Sequence, residues 1–124
     1  MKRNRLTDAM VYTAVSKVVK DMQNDTEQGI KNLLELGNKM ASSESQKELL
    51  DFAAKKLRNK DGAYYKLTER IFSGTDRKIL TEFGINLGYN ALMDGADKLK
   101  DFKYKNGCSV PWTVFFDMSW GSYP

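Results

Sequence analysis

Few residues in this chain of 124 could do chemistry, and their spacing limits what they can do. Asp94 and Asp97 stand three apart. Such a carboxylate pair can share a proton when enclosed, but on an exposed helix it is simply hydrated, which is the preferred reading. Gly84, Asn86, Gly88 and Asn90 interleave two four-residue spacings. The glycines leave one side of a helix bare, and the asparagines line a neighbouring polar stripe. That surface admits either a second helix backbone or a ligand in a groove, and close packing is the simpler use.

Histidine is absent and Cys108 is the single cysteine. The commonest general acid–base and metal-ligating side chain is therefore missing, and one thiol cannot build a zinc site or hold an iron–sulfur cluster. No P-loop, G-x-G-x-x-G, G-x-S-x-G or EF-hand loop occurs. No catalytic residue, metal site or resident cofactor is expected. Cys108 itself, beside Gly107, reads as inert packing.

The elements that carry these residues are helical. Met10, Val11, Ala14, Val15, Val18, Val19 and Met22 recur at three- and four-residue spacing and predict a helix over about Thr7 to Gln23. Asp25 followed by Gln28 predicts a capped start for a second helix, with Ile30, Leu33, Leu34 and Met40 on its face. Ser42 and Ser43 offer caps for a third, with Leu49, Leu50, Phe52, Ala53 and Leu57 inward. The turn Asn59-Lys60-Asp61-Gly62 ends it.

A short helix is expected from Ala63 to Phe72, with one of Tyr64 and Tyr65 inward and the other at the rim. Thr75 is the expected cap of the next helix, marked by Ile79, Leu80, Phe83, Leu87 and Ala91 and kinking or continuing at Gly95. A last helix bears Leu99 and Phe102 and stops at Asn106-Gly107. Gly84 and Gly88 each cost about 1 kcal/mol in a helix relative to alanine, so something must offset them.

The last segment breaks the pattern. Val110-Pro111-Trp112-Thr113-Val114-Phe115-Phe116-Asp117-Met118 reads as one buried strand, yet the chain offers no second strand to pair with its backbone. The expected architecture is mainly α: a compact bundle of five or six helices over 1–109, with a single C-terminal strand and tail over 110–124. That strand pairs with another chain or a missing domain. Pro111, Trp112, Val114, Phe115 and Phe116 are its interaction residues.

Twenty basic residues against 16 acidic give a net charge of +4. Lys2, Arg3 and Arg5 form one small cluster, and Lys55, Lys56, Arg58 and Lys60 another that suits a helix C-terminus. Neither is a concentrated basic face, so nucleic acid is not the expected partner. No apolar run reaches the ~20 residues of a membrane span. With no signal peptide and no disulfide framework, a reduced cytoplasm is the expected compartment.

The order Phe83-Gly84-Ile85-Asn86, a small-residue helix, a lysine-rich helix, then Tyr104-Lys105-Asn106-Gly107-Cys108-Ser109-Val110-Pro111-Trp112-Thr113-Val114-Phe115-Phe116-Asp117-Met118-Ser119 resembles a known arrangement. It is similar to the segment leading into the barrel of bacterial radical S-adenosylmethionine proteins. The resemblance implies that Pro111 and Trp112 approach the barrel, Thr113 to Phe116 form its first strand, and Asp117 to Ser119 make the turn before the cluster-binding C-x-x-x-C-x-x-C motif.

Two departures matter. Met118 stands where that family has proline, and Trp120-Gly121-Ser122-Tyr123-Pro124 contains none of the three cysteines. An iron–sulfur cluster and S-adenosylmethionine would thus belong to a downstream domain. The leading expectation is a non-catalytic helical accessory domain that packs against a barrel or positions its substrate. The alternative is a small interaction protein that homodimerises or adds its terminal strand to a partner's sheet.

Overall fold

The computed structural model describes residues 5–111 and 113–116. The first helix, α1 (Arg5–Asn24), is the central element, making its most extensive contact with α2 (Thr26–Met40) and also meeting three later elements. Its apolar stripe explains that position. Val11, Val18, Val19 and Met22 are buried as their spacing demands, with Met22 only 1% exposed.

A single residue, Asp25, separates α1 from α2. Its carboxylate accepts from the Gln28 N–H at 3.0 Å, so the expected cap forms. Val18, Met22 and Ile30 then make the centre of the core, against which Leu34, Leu36, Leu57, Tyr65 and Phe72 pack.

Ser43 caps α3 (Glu44–Leu57) through a full capping box with Gln46. The Asn59–Gly62 turn follows, with the Asn59 side chain accepting from the Asp61 N–H, and leads into α4 (Ala63–Gly74). Asp76, not the expected Thr75, caps α5 (Arg77–Phe83): its carboxylate reaches the free N–H groups of Lys78 and Ile79. The carbonyl of Thr75 is instead engaged by Gln23 of α1.

After α5 the chain widens into a π-helix over Gly84–Gly95 before α6 (Ala96–Asn106). Gly95 has a steric reason for its type. A Cβ there would stand 2.6 Å from the Asn90 carbonyl oxygen, five residues back, which the wider turn brings close. Gly107 ends α6 in the left-handed conformation, φ +68°, and returns its N–H to the Lys103 carbonyl.

Two glutamines pin the layers together. Gln23 Nε2 donates to the carbonyls of Phe72 (3.2 Å) and Thr75 (3.0 Å), while its Oε1 accepts from Arg77 Nε. The corner between α4 and α5 is thereby closed onto α1. Gln46, buried, donates to the Leu92 carbonyl at 2.9 Å and ties α3 to the π-helix.

The mainly helical architecture holds across the described residues, among which there is no strand. Several apolar residues expected inside lie outside. Met10 sits at the edge of the α1 stripe and is 64% exposed, and Leu33, Leu49 and Phe52 are also exposed. On α3 the inner face is taken by Leu50, Ala53, Ala54 and Leu57, all half-buried, which leaves Leu49 and Phe52 outward. Neither α4 nor α6 has a fully buried residue. No helix among the described residues is long and apolar enough to cross a membrane.

Candidate interaction site

The terminal segment begins where Gly107 stops α6 in the left-handed conformation. From Cys108 to Phe116 the described residues adopt neither helix nor strand, and none forms a backbone hydrogen bond with another described residue. Phe115 is 92% exposed and Phe116 84%; Val110, Pro111 and Val114 are exposed too. Trp112 and the stretch Asp117 to Pro124 lie outside the described residues. Cys108, expected to pack, is exposed instead.

Among its described residues this arm is unpartnered, and the adjacent rings of Phe115 and Phe116 forgo the burial that would stabilise them by about 1.5–3 kcal/mol each. Such a segment gains both terms when it lies along a sheet edge.

The second set, Gly84, Asn86, Gly88 and Asn90, divides. A Cβ at Gly84 would meet Val15 Cγ1 of α1 at 3.0 Å, so Gly84 serves close packing. Gly88 faces open space, with nothing within 4 Å. Asn90 Nδ2 donates to Asn86 Oδ1 at 3.1 Å, so the expected polar stripe forms, and Asn90 Oδ1 is enclosed.

Asp94 and Asp97 do not act as a pair. Asp94 binds Lys98 at 2.6 Å, whereas Asp97 accepts from Ser42 Oγ and so joins α6 to the start of α3. Among the described residues no group of three or more acidic or cysteine side chains is placed to hold a metal ion.

Two clefts open elsewhere. One of about 330 Å³ lies along α1, lined by Tyr12, Ser16, Lys20 and Arg77. The other, about 500 Å³, has an apolar floor of Ile30, Leu34, Leu57 and Tyr65. At its rim the Lys60 ammonium donates to Glu27, which holds that carboxyl below its ordinary range and raises Lys60. On the neighbouring turn, donation from the Asn32 amide, with help from Lys17, lowers Asp21. All of these charges are solvent-screened and structural in reach.

Sequence reasoning missed this floor because it is built across helices. It also missed the outward apolar residues of α3 and α4: Leu49 and Phe52 on the first and Tyr64, Leu67 and Ile71 on the second are all exposed. Lys56 Nζ stands 5.5 Å from the Phe52 ring centre and 5.7 Å from that of Tyr64, which joins the two helices' faces. The three- and four-residue spacing on α4 was the available signal.

No protein-family model matches the chain, and neither does any curated protein or solved structure.

Proposed function

We propose that this chain is a non-catalytic helical accessory domain that docks through its C-terminal arm. Pro111, Trp112, Val114, Phe115 and Phe116 add to a sheet edge as the first strand of a barrel, as the likeness to radical S-adenosylmethionine proteins suggests. The iron–sulfur cluster and S-adenosylmethionine belong to that barrel, and the helical domain packs beside it or positions its substrate. The observation that carries this reading is the near-complete exposure of Phe115 and Phe116 on a backbone without described partners.

Burying Val114, Phe115 and Phe116 would contribute about 5 kcal/mol, enough to drive docking once a sheet edge is close. The sequence holds no histidine, and Asp94 and Asp97 are engaged separately, by Lys98 and Ser42; a binding role accords with both.

Coding sequence contiguous with Pro124 provides the first test. A C-x-x-x-C-x-x-C motif shortly downstream supports the barrel, and a stop codon with no such motif contradicts it. At the protein level, F115S/F116S should abolish docking without altering the helical signal. Loss of a self-associated species in that variant would instead favour strand exchange between two copies.

A further inference from the structure

The outward face of α3 and α4 points to a second, independent contact. Glu48, Phe52 and Lys56 lie on one ridge of α3 at four-residue spacing, and all three are exposed. Neither Glu48 nor Lys56 has an ion-pair partner among the described residues. We infer that this face is the contact for a second copy of the chain, with α3 packed antiparallel on the partner's α3 about a twofold axis at Phe52.

Charge order along α3 selects that occupant. Glu44, Glu48 and Asp51 precede Phe52, with Lys47 the one basic residue among them, whereas Lys55, Lys56 and, just past the helix, Arg58 follow it. An antiparallel copy centred on Phe52 places Glu48 against the partner's Lys56 and Lys56 against the partner's Glu48. The one Glu48–Lys56 bridge is thereby made twice, as an isologous contact requires. The same axis sets Leu49 against the aliphatic stem of the partner's Lys55 and stacks the two Phe52 rings near the centre. A parallel copy would instead oppose like charges.

The area is adequate. Leu49, Phe52, Tyr64, Leu67 and Ile71 are each 44–56% accessible, which amounts to roughly 500 Å² of side-chain surface. Homodimer interfaces are about 65% apolar, so a patch of this size corresponds to about 750 Å² per protomer. A standard interface takes ~800 Å² from each partner. Lys56 already rests against two aromatic rings, so its ammonium is held in place for the bridge.

This contact does not depend on the arm, and the experiment separates the two. Sedimentation velocity on the full chain, from micromolar to near-millimolar concentration, should give a concentration-dependent dimer. E48K and K56E should each raise the dimer Kd at least about tenfold, since each sets like charges face to face. The charge-swapped E48K/K56E should restore the wild-type value. Both substituted positions are exposed, and circular dichroism checks that the helices persist in all three variants. A wild-type chain that stays monomeric throughout overturns the inference. So does a dimer that E48K leaves intact, or one that F115S/F116S abolishes and E48K does not.

Discussion

Gly29 is the fourth residue of α2, where the chain has just turned back on itself through Asp25. Helix propensity alone favours alanine at such a position by about 1 kcal/mol. Geometry opposes it. A Cβ at Gly29 would overlap Met22 of α1, including its backbone Cα and N, so no side-chain rotation can relieve the contact. The two helices must separate at the point where Met22 is 1% exposed. Overpacking of this kind costs about 1–3 kcal/mol, and with backbone on both sides the upper part of that range applies. Net of propensity, G29A should destabilise the protein by about 2 kcal/mol. For a domain of this size that lowers Tm by about 8 °C. Gly88 supplies the comparison, because nothing lies within 4 Å of a Cβ added there. G88A should be neutral or stabilising by up to about 1 kcal/mol. Urea unfolding followed by circular dichroism measures both. Equal stability of G29A and wild type would refute the packing argument, as would an equal loss in G88A.

Gln46→Ala removes the reciprocal half of the α3 cap and the bond to the Leu92 carbonyl, and should cost about 1–3 kcal/mol in urea unfolding; a loss below about 0.5 kcal/mol would contradict the clamp. The Glu27–Lys60 bridge predicts a pH signature. Because Glu27 is lowered in the fold, its contribution is complete above the ordinary carboxylate value of 4.5 and fades as pH falls through the folded value. Because Lys60 is raised, its contribution is complete below 10.5 and fades as pH climbs through the folded value. Thermal melts of wild type and Lys60→Met should therefore differ at neutral pH and converge toward both extremes, and added salt should shrink the difference. A gap that widens on acidification would contradict the assignment.

What the sequence made legible was local. The α1 stripe, the Asp25 cap, the stop at Gly107 and the turn after α3 all depend on neighbours within four residues, and all stand as read save Met10 at the edge of the stripe. Choices between two similar options were less visible. Thr75 and Asp76 are adjacent candidates for one cap, and Gln23, more than fifty residues away, engages the Thr75 carbonyl while Asp76 holds the first turn. Leu49 and Leu50 are equally apolar, yet only the neighbouring helices decide which turns inward. The π-helix has no periodic signature of its own. Gly84, Gly88 and Gly95 marked the stretch as unusual, but the reason for Gly95 is a carbonyl five residues back, which α-helical counting does not reach. For the candidate site, the apolar content of the arm was plain in its residues. The strand conformation needs an edge to lie on, and among the described residues no strand supplies one.

Amide hydrogen exchange across Val110 and Thr113 to Phe116 tests the docking claim most directly, because it reads the backbone bonds that the arm either has or lacks. In this chain alone those amides should exchange at close to the rate of an unstructured peptide while α1 stays protected. In the full native polypeptide or assembly they should slow by at least about a hundredfold, as paired strand amides do. Protection already present in the isolated chain, or none in the assembly, would contradict the account.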